Sequence, residues 1–245
     1  MHRARQLLEW GFSSGEVAAE IRVPAQTIGR WSRGETAAFG PRVVVRPWRP
    51  PHDGVYAYLL GLYLGDGHLQ VRSAGKCSLR VFLDGAYPDI VEECVVAVGL
   101  TSMGQSVNIQ RVRGSNVRLV QCGWKRWPEV FPQHGPGRKH ERPIVLEDWQ
   151  EAIVAEHADE FIRGLIHSDG CRTVNRFKTK LPSGRVAEYE YPRYFFSNLS
   201  PDIRRLFCEA CERLGLRWTQ SNPRNISVSH RDSVAILEEL VGPKT

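Results

Sequence analysis

The sequence predicts an α+β protein whose larger part is duplicated, set behind a small all-α unit, and three observations predict it. Two apolar stretches, Leu59-Leu60-Gly61-Leu62-Tyr63-Leu64-Gly65-Asp66-Gly67 and Ile162-Arg163-Gly164-Leu165-Ile166-His167-Ser168-Asp169-Gly170, share small residues four apart and an Asp-Gly ending. The landmarks that follow each stretch recur in one order. The first 34 residues read as short helices separated by turns, with a proline-rich segment after them. With 245 residues, 42% hydrophobic and 24% charged, the chain is of globular composition and can bury a core. Its longest mostly apolar run, Val55 to Gly65, falls well short of the ~20 residues of a membrane-spanning helix. No apolar run follows Arg3, Arg5 and Glu9, which argues against a secretory signal. Six cysteines at no regular spacing suit a reduced cytoplasm better than a disulfide framework.

In the front unit, Leu7, Leu8 and Trp10 suggest a helix ending at Gly11, and Ser14 is placed to cap a second helix through Ile21. Arg22-Val23-Pro24 breaks it, and Ala25 to Trp31 forms a third helix stopped at Gly34. Val17, Ile21, Val23, Ile28 and Trp31 have the spacing of a small core across a tight turn, leaving Gln26, Thr27, Arg30 and Arg33 outward. Such side chains reach base edges or phosphates in a major groove. The stretch resembles the helix-turn-helix units of homeodomain-like regulators and recombinases. Residues 35–54, with Pro41, Pro47, Pro50 and Pro51, read as an extended linker.

Gly61/Gly65 and Gly164/Ser168 give each apolar helix a face of small residues that lets two backbones approach closely. Gly67 and Gly170 are expected to take the left-handed conformation that ends a helix. If the small faces pack together, Asp66 and Asp169 meet at one end of the pair, where two carboxylates add to the negative ends of two helix dipoles. A shared divalent cation would relieve that repulsion, and oxygen-only ligands suit Mg²⁺.

Beyond the motifs, Tyr87-Pro88-Asp89-Ile90 is matched by Ser200-Pro201-Asp202-Ile203, Gly99-Leu100 by Gly215-Leu216, and Gly137-Arg138-Lys139 by Gly242-Pro243-Lys244. Strand-like runs lie between them: Leu79 to Leu83, Val107 to Val112, Val117 to Cys122, Val186 to Phe196 and Asn225 to Ser229. Residues 55–245 therefore resemble the LAGLIDADG (dodecapeptide) homing endonucleases of the two-motif, single-chain type. The resemblance implies two pseudo-twofold αββαββα repeats, here 55–158 with a connecting helix and 159–245, and an antiparallel-sheet saddle that lies in the major groove of double-stranded DNA. It also implies metal-binding acids at Asp66 and Asp169 and active-site lysines at Lys139 and Lys244. The sixth motif residue, often acidic in the family, is Leu64 in one copy and His167 in the other.

The net charge is +6, with net +4 over residues 1–50 and net +6 over residues 111–142, whereas residues 143–160 hold six acids and no Lys or Arg. Arg111, Arg113, Arg118, Arg172, Arg176, Lys178 and Lys180 are the expected DNA contacts of the strands. Glu147 to Glu160 reads as a connecting helix, Trp124 and Trp127 as core rings, and His167 as a packing histidine. Cys208 and Cys211 form a C-x-x-C in a helical run with no second pair, a poor zinc pattern. The expectation is a cytoplasmic monomer that cleaves double-stranded DNA at specific sites with Mg²⁺ and has no membrane partner. The alternative is a DNA-binding transcriptional regulator on the same fold without cleavage, with an RNA-splicing maturase behind both.

Overall fold

The computed structural model describes residues 4, 7–8, 10–33, 47–72 and 76–242. The chain divides into two compact units, Met1–Pro47 and Trp48–Thr245. In the smaller, α1 spans Ser14–Ile21 and α2 spans Ala25–Ser32. Ser13, not Ser14, is the cap. Its hydroxyl accepts from the Glu16 N–H at 3.3 Å, while the Glu16 carboxylate accepts from the Ser13 N–H at 2.8 Å, a reciprocal pair that satisfies two donors. Arg22 turns the chain with a left-handed φ of 55° before Pro24. Ala4, Val17 and Ile28 form the buried centre, with Leu7, Leu8, Ile21 and Val23 packed on it. The Trp31 side chain and residues 34–46, most of the expected linker, lie outside the described residues.

The linker ends earlier than 54. Trp48 is buried in the larger unit against Tyr56, Trp124 and Trp149, at ring separations of 5.6, 6.4 and 5.8 Å, and the first motif helix begins at Asp53. The sequence from there reads α3 (Asp53–Asp66), β1 (Gly67–Val71), β2 (Cys77–Asp84), α4 (Pro88–Thr101), β3 (Val107–Arg111), β4 (Val117–Gly123) and the one-turn α5 (Trp127–Val130). Next come α6 (Asp148–Glu156), α7 (Ala158–Asp169), β5 (Gly170–Lys180), β6 (Val186–Ser197), α8 (Pro201–Arg213), β7 (Thr219–Asn222), β8 (Asn225–Val228) and α9 (Arg231–Val241). The acidic stretch is two helices rather than one connector. α6 stops at Glu156, and Asp159 and Glu160 sit in the first turn of α7, where their charge suits the helix dipole.

The two sheets repeat one topology, antiparallel in the orders β1-β2-β4-β3 and β5-β6-β8-β7. α3 is buried on all sides from Tyr56 to Leu64, as a central helix should be when its sequence is apolar all round. It packs on α7 through the small residues. A Cβ at Gly61 would stand 2.5 Å from the Phe161 carbonyl oxygen and 2.7 Å from the Leu165 nitrogen, and one at Gly164 would strike the Tyr58 carbonyl. Gly67 and Gly170 serve a different purpose from the expected one. Both are extended, with φ of −85° and −100°, because each helix runs straight into a strand. A side chain there would meet the Tyr63 Cα at 2.5 Å or the Ile166 Cα at 2.6 Å.

Gly61→Ala and Gly164→Ala should each lower stability by roughly 3 kcal/mol or more, since backbone atoms cannot step aside. Gly99→Ala, whose added methyl would reach only Val107 at 3.9 Å, should hold or raise it by up to about 1 kcal/mol. Chemical denaturation of the three variants checks both.

Candidate functional site

α3 and α7 end side by side, so Asp66 and Asp169 line one cleft of about 640 Å³ with Lys139, Arg142, His68, His134, Phe82, Ser197 and Asn198. Asn198 follows directly on β6 and was missed as a site residue. Its amide donates to the Asp169 carboxylate at 2.5 Å, and its carbonyl accepts from the Ser200 N–H at 2.8 Å, so one side chain both orients the acid and starts α8. The sequence signal for it was the Asn-x-Ser preceding a helix, a turn-and-cap pattern.

Lys139 reaches the cleft from the loop between α5 and α6. The loop is held by Arg142, which donates to the carbonyls of Gln133 and Gly137 at 3.3 and 2.8 Å, and by a buried chain of amides and a phenol. In that chain Gln133 donates to Gln150 at 2.6 Å, Gln150 to the Tyr56 hydroxyl at 2.5 Å, and the hydroxyl to the Val130 carbonyl at 2.8 Å. So fixed, the Lys139 ammonium donates to the carbonyls of Tyr63, Leu64 and Gly65, the last two at 2.9 and 2.8 Å. An ammonium has three N–H donors, and here there are three backbone acceptors. Lys139 is thus a cap on the C-terminus of α3. It is also a counter-charge: burial lowers its pKa to about 8, while Asp169 and Asp66 pull the other way. Burial and the surrounding cations, Arg142 among them, also lower the pKa of His68 and of His134. Lys244 lies outside the described residues.

Strand register decides which basic residues face the cleft. His68, Phe82 and Ser197 line it and sit on the sheet faces turned away from the helices, whereas Leu79, Val81, Val120, Tyr194 and Phe196 face the core. Arg111 pairs with Arg118, and Arg118 with Leu83, a core residue, so both arginines lie on the helix side. Arg172, Arg176, Lys178 and Lys180 alternate with Gly170 on the helix side of β5. Arg172 bonds Glu238 of α9 at 2.9 Å, Arg176 bonds Glu190 at 3.1 Å, and Lys178 pairs with Glu188. Six of the seven expected strand contacts therefore sit on the face turned away from the cleft, and Arg113 is in the β3–β4 turn. Among the described strand residues, the arginines on the cleft side are Arg80 and Arg193. Each lies over an aromatic ring two positions on, Phe82 at 5.2 Å and Phe195 at 4.3 Å, and each has a buried Nε with no hydrogen-bond partner.

His167 is a packing residue, 2.9 Å from the Tyr58 hydroxyl and 3.3 Å from the Val241 carbonyl. Trp127 is buried and donates to the Cys122 carbonyl at 2.9 Å. Cys208 and Cys211 are free and buried in α8. In the small unit Gln26, Arg30 and Arg33 are exposed, and Thr27 is partly buried. Among the described residues no three His, Cys, Asp or Glu side chains group as a metal cage, and no helix is long and apolar enough to cross a membrane. Two carboxylates in an open cleft fit Mg²⁺, which commonly takes one or two carboxylates and completes its octahedron with water and substrate phosphates.

Paired motif helices carrying two sheets of identical order, each entered directly from an Asp-Gly, complete the duplicated arrangement. The fold is the LAGLIDADG fold. No protein-family model matches the chain, and no curated protein matches it. Among solved structures it is similar to I-DmoI in complex with DNA and Mn, with a TM-score of 0.49 at 16% identity over 78% of this chain and 98% of that one. It is also similar to the LAGLIDADG meganuclease I-AabMI bound to uncleaved DNA, with a TM-score of 0.47 at 10% identity over 75% and 83% of the two chains. Full-length DUF199/WhiA from Thermatoga maritima gives 0.47 at 12% identity over 78% of this chain and 55% of that one.

Lys139→Met should cost about 2–4 kcal/mol, because three carbonyls lose their donor and two carboxylates their nearest cation. Combined with Asp169→Asn it should cost less than the sum of the single changes, since the repulsion it leaves is then smaller. Urea denaturation of both single variants and the double variant in EDTA measures this. Full additivity would show that Lys139 acts only as a cap.

Proposed function

We propose that the LAGLIDADG unit binds double-stranded DNA in this cleft and cleaves it at specific sites with Mg²⁺. The observation that carries the reading is the convergence of Asp66 and Asp169 in the cleft that the outward faces of both sheets also line. Two antiparallel sheets with solvent-facing sides suit a major groove, and the Arg80 and Arg193 guanidinium groups on those sides suit phosphate. Asp66 and Asp169 would hold the cation, with DNA phosphates completing its shell. A cation bound there polarises the phosphate and makes water a better nucleophile. Asn198 keeps the Asp169 carboxylate oriented, and Lys139 screens the two acids from each other. The proposed partner is DNA, the proposed state a monomer with internal pseudo-twofold symmetry, and the proposed compartment the cytoplasm. Residues 1–34 are proposed as a helix-turn-helix that adds affinity through Gln26, Thr27, Arg30 and Arg33.

A second reading, a DNA-binding regulator without cleavage, is favoured by one observation. Lys139 directs its ammonium at backbone, not at the open cleft, so it is not placed to order an attacking water. Selection of bound duplexes from a random library in Ca²⁺, then transfer of the winners to Mg²⁺, separates the two readings. Cutting supports the nuclease, and tight binding without cutting supports the regulator.

Asp66→Asn and Asp169→Asn should each abolish cleavage in Mg²⁺ while DNA affinity in Ca²⁺ falls by less than about tenfold, as gel assays on the selected duplex will show. Double-strand cutting by either variant overturns the assignment. Arg80→Ala and Arg193→Ala should each weaken binding and flatten the slope of log affinity against log salt by about 1. Arg176→Ala and Lys178→Ala should leave that slope unchanged.

A further inference from the structure

The β5–β6 hairpin is far longer than its counterpart. Eleven residue pairs join β5 to β6, from Gly170 with Phe196 to Lys180 with Val186, against five between β1 and β2. The outer half of this ribbon is not covered by helices, and its two faces differ. On the helix side Arg176 and Lys178 are neutralised across the ribbon by Glu190 and Glu188. On the cleft side three aromatic rings stack. Phe177 and Tyr189 are direct cross-strand partners with centroids 5.4 Å apart, and Tyr191 lies 6.0 Å from each ring. Phe177 and Tyr191 keep 45% and 47% of their surface exposed. A cluster that large left open on a ribbon that contributes little to the core is a contact surface in search of an apolar partner.

Resting on the DNA-binding reading above, we propose that the Phe177–Tyr189–Tyr191 ladder reads the 5-methyl groups of thymines in the major groove of one half of the site. The ladder is continuous with the cleft: along β6 the same face carries Tyr189, Tyr191, Arg193, Phe195 and Ser197, and it ends beside Asp169. Charge decides the kind of contact. With Arg176 and Lys178 paired on the far face, the ladder itself offers rings, and the cation in step with it, Arg185, stands beyond it at the turn. The apolar feature a duplex presents in its major groove is the thymine methyl. Asn175, opposite Tyr191 on the same face, has the amide that reads the adenine of the same A·T pair. The two halves of the site are thereby read differently, because β1 and β2 carry no such ladder: their cleft face holds His68, Gln70, Ser78, Arg80, Phe82 and Asp84.

The test uses duplexes selected by the full-length wild-type chain and resynthesised with deoxyuridine for thymidine in one half or the other. Removing the methyls from one half should weaken wild-type binding by about three- to fivefold per contacted thymine, and removal from the other half should change it by less than twofold. The triple variant Phe177→Ser/Tyr189→Ser/Tyr191→Ser should bind the thymidine and deoxyuridine duplexes equally. Because the ladder lies outside the core, the variant's melting temperature should match wild type. Should it not, the single variant Tyr191→Ser, at the most exposed ring, should still lose part of the methyl dependence. Wild-type indifference to the methyls in both halves overturns the proposal and leaves DNA binding intact, as does a triple variant of undiminished methyl dependence. A wild-type dimer that dissociates in the triple variant overturns it in favour of a protein interface. Failure of wild type to select any duplex overturns the DNA-binding reading itself.

Discussion

At Gly61 and Gly164 the backbones of α3 and α7 approach until no side-chain atom fits between them, and the rest of the larger unit is arranged around that contact. The added Cβ atoms would collide with carbonyl oxygens and amide nitrogens, not with the flexible ends of side chains. The crossing is therefore fixed by atoms that cannot rotate out of the way. Fixing it brings the two helix C-termini together. Since each C-terminus passes without a loop into the first strand of its sheet, it also fixes how the two sheet faces border a common cleft.

Convergence creates an electrostatic problem, and the chain answers part of it itself. Two carboxylates and two helix C-termini concentrate negative potential, which from sequence argues for a cation between them. The structure supplies Lys139 there, with Arg142 close by and the loop pinned through Gln133, Gln150 and Tyr56. Lys139 therefore offsets part of the repulsion between the two acids. The cleft still has room for a cation that phosphates would help to coordinate. On the proposed reading the acids are held ready for a cation by the groups around them.

Spacing made the helices legible, and the lack of a one-sided pattern hid several strands. The pairing of α3 with α7, the convergence of Asp66 and Asp169 and the buried role of His167 all followed from small residues at i and i+4 and from duplication. β1, β5 and β7 give no strand signal in the sequence: β1 alternates buried and exposed residues over too few positions, β7 is exposed throughout, and β5 is largely exposed on both faces beyond Gly170. Without a strand there is no register, and a shift of one residue exchanges the faces. For Arg172, Arg176, Lys178 and Lys180 on β5 the face is thus open in the sequence, and for Arg80, Arg111, Arg118 and Arg193, on runs that read as strands, it is fixed only by the cross-strand register. Likewise, the glycine after each motif aspartate was read as a left-handed cap, because sequence shows the residue type but not the steric reason for it.

The two repeats share a topology but divide their duties. Repeat 1 supplies the ordered loop that carries Lys139, while repeat 2 supplies Asn198 beside its acid and the long aromatic ribbon. The sixth motif position follows the same division. Leu64 is wholly buried, and His167 is held by Tyr58 and Val241, with the Glu93 carboxylate 3.6 Å away, which in turn pairs with Arg163. Neither residue presents an acid to the cleft, and among the described residues that line it the acids are Asp66 and Asp169. On the proposed reading, two acids, one oriented by an amide and both partly screened by a lysine, would bind a cation weakly until phosphate arrives. DNA binding and metal binding would then be coupled, each making the other more favourable.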